Sequence, residues 1–396
     1  MDTINTGKIK YQSWVLVATL FMLSGMVAAM HQFKIPTIMT NVASSFNMPL
    51  SQAAWLMSIF TFVGIFLALP TGSLAQKFGP KIMVIVAAVL VAAGSIVGSM
   101  ATTGNMLILS RGIEGVGFIF VTVCGPMAIG RYCEPSKLGS AMGIWAVWVS
   151  VGQVLASNLT APLYKAIGLS GTWIVYAVVA LVLTAAVAVA IKTPAELAPA
   201  NFVQGDVKTS EVFKNKDLWF LCLSFTTFNL ILMAALAFVP TFLTGKGVNA
   251  AAAGFAVSLP MILGIVASPI FGSLSDKIGS TKSLHLISLL GTVVGTILMF
   301  TSTGVVMYIG GVILGLIGMG HPAMVLGSIG KVNPKPELAG TGIGLLMTCQ
   351  GIGMFLGSAL MVYFLQWAGG NWTTASLYLI PIAVIGLILG ALSKFK

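Results

Sequence analysis

The sequence predicts an all-α membrane protein of twelve spanning helices, arranged as two similar halves of six. Three observations predict it. Of 396 residues, 57% are hydrophobic and 7% charged, against roughly 25% charged in soluble domains, so a soluble surface cannot be built from them. Twelve stretches between polar breaks are apolar enough to cross a bilayer, which takes about 20 residues each, and a lipid-embedded backbone must satisfy its own hydrogen bonds as helix. Finally, the second half of the chain repeats the first at offsets of 199 to 204 residues, the mark of an internal structural repeat.

The spans fall in order near 14–40, 52–75, 82–101, 106–129, 139–162, 171–191, 218–243, 250–274, 283–300, 305–329, 339–364 and 371–393. The first is too long for a cleaved signal and no A-x-A site follows it. It carries Lys34-Ile-Pro-Thr37, matched in the seventh by Phe238-Val-Pro-Thr241. The second and third flank a short basic turn, as do the eighth and ninth. Gly115 in the fourth matches Gly315 in the tenth, Gly143 and Gly152 in the fifth match Gly344 and Gly353 in the eleventh, and Trp173 in the sixth matches Trp372 in the twelfth. The longest polar stretch, 192–217, reads as a linker between an N-terminal bundle, 1–191, and a C-terminal bundle, 218–396, with a short helix near Ser210–Asn215.

An even number of spans puts both termini on one side. With that side cytoplasmic, 16 Lys and Arg residues lie inside and only Lys165 and Lys246 outside, a decisive positive-inside count. The formal charge of +11 is thereby explained by membrane sorting and is no sign of nucleic-acid binding. Cys124, Cys133, Cys222 and Cys349 show no metal-ligand spacing and no disulfide context. No nucleophile, metal cluster or phosphate loop points to an enzyme, and no cofactor is expected.

The two basic turns read Gly72-Ser-Leu-Ala-Gln-Lys-Phe-Gly79-Pro-Lys81 and Gly272-Ser-Leu-Ser-Asp-Lys-Ile-Gly279-Ser-Thr-Lys282. This pattern resembles the loop between the second and third helices of the major facilitator superfamily of secondary transporters. Glycines there are expected to let backbones approach, Lys77 and Lys277 to stay at the cytoplasmic face, and an Asp to brace a gate against a helix end. Asp276 supplies that carboxylate in the second copy; Gln76 replaces it in the first. The resemblance implies two six-helix bundles about a pseudo-twofold axis, with a central cavity lined mainly by the first, fourth, seventh and tenth spans and helped by the fifth and eleventh.

Three formally charged residues fall within spans: Lys34, Arg111 and Glu114. A charge at that depth costs at least about 2.5 kcal/mol, so each needs a partner, water or a function. Lys34 lies one turn past His31 and precedes Pro36, which removes the hydrogen bond to the Gln32 carbonyl. A cation beside freed backbone suits an anionic solute; the alternative is a lysine that snorkels to the outer interface. Arg111 and Glu114, in Ser110-Arg-Gly-Ile-Glu-Gly-Val-Gly117, resemble the family's R-x-x-[QE]-G-x-G stretch. They can simply neutralise each other, or Glu114 can hold and release a coupling proton as Arg111 turns toward an anion. His321, which precedes Pro322, is a further candidate as a cavity ligand or a second proton site, with a packed histidine as the alternative. Asn229 and Gln350 are candidates for the solute site that serve equally as helix glue. Gln153 and Asn158 serve equally as helix glue, and Trp55, Trp145, Trp148, Phe225 and Phe228 as cavity wall or packing. His285 sits near the cytoplasmic face, outside the expected site.

These residues lead to the expectation of a monomeric secondary transporter in the cytoplasmic membrane, carrying a small anion with protons by alternating access. Pro126-Met-Ala-Ile-Gly-Arg131 and Gly139-Ser-Ala-Met-Gly-Ile-Trp145 resemble the nitrate, cyanate and organic-anion branches. The competing reading is a proton-coupled exporter of drugs or lipophilic cations, against which Gly152 is followed by Gln153 and Val154 where the antiporter pattern G-x-x-x-G-P-x-G-G has Pro and a further residue before Gly-Gly. A membrane sensor that transports nothing would need a signalling domain.

Overall fold

The computed structural model describes residues 11–134, 137–193, 210–278, 280–332 and 339–394. They form helices α1 (Trp14–Phe33), α2 (Met39–Ser45), α3 (Leu50–Phe78), α4 (Pro80–Ser99), α5 (Gly104–Tyr132), α6 (Leu138–Trp145), α7 (Trp148–Ala190), α8 (Ser210–Lys214), α9 (Lys216–Gly245), α10 (Ala250–Ile278), α11 (Thr281–Met299), α12 (Val305–Leu316), α13 (His321–Val332), α14 (Ala339–Trp367), α15 (Trp372–Leu377) and α16 (Leu379–Leu392). Among the described residues, eleven stretches are long and apolar enough to cross a membrane. One of them, Ala141–Ala190, has 50 residues, about 75 Å of helix and more than twice a hydrocarbon core. Gly168 interrupts it at φ 67 and ψ −173, so the expected fifth and sixth spans meet there in one turn. The outer surface is apolar, with Phe66, Val189 and Val305 exposed by 64%, 79% and 74%, which suits lipid and not water.

The repeat seen in the sequence recurs as contacts. At Gly115 a Cβ would collide with the carbonyl of Phe60, and at Gly315 with Pro260; at Gly152 it would meet the Met26 carbonyl, and at Gly353 that of Thr226. Gly94 abuts Ser110 and Glu114, while Gly295 abuts Gly310 and Leu314. Each pair is one helix crossing made twice, with glycine at the point of closest approach.

Two expectations need correction. The basic motifs are not loops: Gly72, Gln76 and Lys77 lie in the last turns of α3, and Gly272, Asp276 and Lys277 in those of α10. Neither Gly72 nor Gly272 serves a close approach, since a Cβ at either would meet nothing within 4 Å. Gly79, at φ 88, turns the chain in the first copy, and Pro80 starts α4 at once, the proline occupying a first-turn position where no N–H is needed. The side chains of Gln76 and Asp276, all of Gly279 and linker residues 194–209 lie outside the described residues. The short helix expected near Ser210–Asn215 is α8.

The two halves meet on the side opposite the termini. Ser58 and Ser358 share a hydrogen bond of 2.8 Å, Asn158 donates to Ser258 at 2.7 Å, and Gln153 donates to the Val257 carbonyl at 3.2 Å. Gly254 of α10 lies against the Ser157 carbonyl of α7. Toward the termini the halves part, and Gly72, Gly130, Gly143, Gly272 and Gly327 all face open space.

Candidate functional site

The buried charges assemble in the N-terminal half where α1 breaks. Pro36 opens a 3-10 turn, Pro36–Ile38, so the last carbonyls of α1 lose their helical donors. Arg111 of α5 supplies them: Nη1 donates to the His31 carbonyl at 2.6 Å and Nη2 to that of Gln32 at 3.1 Å. A cation there also complements the negative end of the helix dipole. Arg111 further donates to the Leu56 carbonyl at 2.9 Å, pairs with Glu114 and lies over the Phe60 ring.

Glu114 is the hub. Its Oε1 accepts from Lys34 Nζ at 2.6 Å and from Ser95 Oγ at 2.5 Å, and lies 3.3 Å from His31 Nδ1. Lys34 also donates to Ser95 at 2.9 Å and sits 4.3 Å above the Trp173 ring, while His31 Nε2 bonds to the Tyr176 carbonyl at 3.3 Å. His31, Lys34, Arg111 and Glu114 are all 0% exposed. The snorkelling alternative for Lys34 is therefore excluded: its ammonium points inward, into a carboxylate already shared with Arg111. With His31 neutral, two cations and one carboxylate leave the cluster a net charge of +1.

Packing does not require these charges. At the equivalent crossing in the other half, Leu314 fills the place of Glu114 against Gly295. An apolar replacement of a buried ion pair is often neutral or stabilising, so a group kept charged here points to a role in the working cycle.

The cavity lies elsewhere. It encloses about 420 Å³ between the halves, capped by Phe33 of α1 and walled by the 143–150 segment, α9, α10, α13 and α14. Asn229 and Gln350 line it, joined by Ser150 and Ser268. Among the described residues, none that line it is charged, and His31, Lys34, Arg111 and Glu114 do not reach it in this state. The expected lining is corrected accordingly: the fourth span contributes nothing, whereas the eighth contributes Met261, Gly264, Ile265, Ser268 and Pro269. Of the five aromatic candidates only Phe228 faces the space. Trp145 and Trp148 pack on each other at 5.2 Å inside the N-terminal half, and Trp55 is 43% exposed. Gln153 and Asn158 tie the halves together, which is the helix-glue role.

His321 stands one layer behind the wall with His285, which the sequence left outside the site; their rings are 4.3 Å apart. Ser95, Trp173 and Tyr176 were missed because serine and aromatic residues in an apolar helix carry no signal of their own. Methionines 233, 261, 319 and 354 of the cavity were missed for the same reason.

A family model described as Major Facilitator Superfamily matches residues 17–320 and 245–395. The chain belongs to that superfamily. It is a multi-pass membrane transporter and not an enzyme. Among curated major facilitators, it is 24% identical over 370 residues to the "Probable nitrate transporter NarT" of Staphylococcus carnosus (strain TM300), covering 89% of each chain. It is 23% identical to the "Nitrite extrusion protein" of Bacillus subtilis (strain 168), covering 90% of this chain and 88% of that one. Solved major facilitators share its fold. The nucleoside transporter NupG (D323A mutant) superposes with a TM-score of 0.78 at 14% identity, over 96% of this chain and all of that one (100%). A bacterial homolog of the human lysosomal transporter Spinster, inward-facing and unoccupied, gives 0.76 at 16%, over 97% and 98%.

Proposed function

We propose that this transporter carries a small anion, of the size and charge of nitrate, by alternating access with protons as the coupling ion. The observation that carries the anion reading is the chemistry of the cavity: among the described residues no carboxylate lines it, and Ser150, Asn229, Ser268 and Gln350 offer neutral hydrogen-bond donors suited to an oxyanion. The printed names of the nitrate and nitrite relatives support the same class. In this reading the termini are cytoplasmic, residues 1–191 and 218–396 rock about the cavity, and contacts on the opposite side form the closed outer gate.

Glu114 is the proposed coupling residue. The 3-10 turn it helps to anchor through Arg111 and Lys34 packs on α7, α9 and α10, so the charge state of the cluster bears directly on the outer gate. A proton on Glu114 would release Lys34 and weaken the hold on the end of α1.

A second reading, export of a lipophilic molecule, is favoured by the four methionines of the wall, which adapt to varied apolar shapes. Thermal unfolding of the purified chain separates the two, because a ligand of the folded state raises its midpoint by mass action. Nitrate or nitrite should raise it and tetraphenylphosphonium should not; the opposite pattern favours export. Asn229→Leu and Gln350→Leu should each weaken nitrate by roughly 10-fold or more, the worth of a hydrogen bond to a charged group.

A further inference from the structure

His321 opens α13 directly behind the cavity. Met319, Pro322 and Ala323 beside it line the space, and so does Phe228, whose ring stacks on the imidazole at 4.6 Å. The imidazole itself is 0% exposed. Its hydrogen bonds fix the tautomer. Nδ1 lies 3.3 Å from the main-chain carbonyl of His285, which can only accept, so Nδ1 carries the hydrogen. Ser288 Oγ, 3.0 Å from Nδ1, gives its own proton to that same carbonyl at 2.8 Å and likewise can only accept. Nε2 therefore bears the lone pair, and it has no hydrogen-bond partner.

We propose that Nε2 of His321 takes up a proton as an anion enters the cavity, so that anion and proton bind together as a neutral pair. The proposal rests on the anion reading above. An anion in a cavity without charged lining has no countercharge, and the imidazolium would supply one from behind a single layer of side chains. The proton comes from water and binds the Nε2 lone pair; no other bond changes. Phe225 and Phe228 present ring faces at 6.1 and 4.6 Å, which favour a cation.

The titratable and charged groups on the elements packed against α13 are His285 and Lys282 on α11, Asp276 and Lys277 on α10, Lys216, Asp217 and Cys222 on α9, and Cys349 and Tyr363 on α14. Of the two carboxylates, Asp217 lies in the first turn of α9 and accepts from the Lys394 N–H at 3.0 Å, and Asp276 lies in the last turns of α10. Among the described residues, no carboxylate is a hydrogen-bond or ring partner of His321, so once the anion leaves the proton should leave with it.

The test uses nitrate as the probe. Purified chain in weak buffer near pH 7.5 should take up about one proton per nitrate bound, and nitrate affinity should fall by about tenfold per pH unit above the titration of the ring. The chain has three histidines, so imidazole ¹⁵N spectra of the unaltered protein can follow them individually. On nitrate addition, the Nε2 signal of His321 should move from the lone-pair to the protonated position. His321→Gln should abolish the proton uptake that accompanies nitrate binding, which Glu114, outside the cavity, does not supply, and flatten the pH dependence. Nitrate binding without proton uptake, equal uptake in His321→Gln, or an unmoved Nε2 signal would overturn the proposal while leaving the anion reading intact. Failure of the unaltered chain to bind nitrate at any pH overturns both. Should His321→Gln fail to fold, the spectra of the unaltered protein decide alone.

Discussion

Glu114→Gln is expected to lose roughly 3–5 kcal/mol of stability, the cost of removing one partner from a buried ion pair. The net charge of the cluster decides the order of the variants. Removing Glu114 takes it from +1 to +2, with Lys34 and Arg111 facing each other across a neutral amide. Lys34→Met takes it to zero, leaving Arg111 and Glu114 as a closed pair, and should cost little. The double variant returns the charge to +1 and should recover much of what Glu114→Gln loses, giving a coupling energy well above the 0.5 kcal/mol or so of independent sites. Thermal unfolding in one detergent checks the ranking. If Glu114→Gln proves as stable as the unaltered chain, the carboxylate is not what holds the two cations together.

Gly254→Val is expected to open the side away from the termini. A Cβ at Gly254 would overlap the Ser157 carbonyl and approach Thr37 at 3.4 Å, and both neighbours belong to the other half. Backbone cannot yield as a flexible side chain does, so α10 must move off α7. That movement breaks the flanking bonds from Gln153 to the Val257 carbonyl and from Asn158 to Ser258. Two such bonds at about 1 kcal/mol each already shift a two-state equilibrium about thirtyfold. The readout is labelling of Ser58→Cys from the far side, in a background with the four buried native cysteines replaced. Labelling should rise steeply with Gly254→Val. Unchanged labelling would mean that this contact does not hold the halves together.

The fold was legible because lipid demands a continuous apolar helix for each crossing, and because the repeat places Gly115 and Gly315, or Gly152 and Gly353, at crossings that tolerate no side chain. The turn at Gly168 was legible only as a gap between spans, since the backbone passes through it with a single non-helical residue. The charged cluster was partly legible: the spacing of His31 and Lys34, and of Arg111 and Glu114, put each pair on one helix face. That the two faces meet at Glu114, and that Arg111 satisfies the carbonyls freed by Pro36, depends on the crossing of α1 and α5. The cavity was least legible. Its lining is neutral serine, asparagine, glutamine and methionine, residue types that serve packing in every other helix, and its position is set by where the halves part.

The most direct test of a carrier with an anion site between its halves is exchange of isotope-labelled nitrate into proteoliposomes holding the purified chain, preloaded with unlabelled nitrate at equal pH. Saturable uptake that exceeds empty liposomes, is stimulated by internal nitrate and is lost in Asn229→Leu is the predicted result. Uptake no greater than in empty liposomes, or uptake indifferent to both internal nitrate and Asn229, would contradict it.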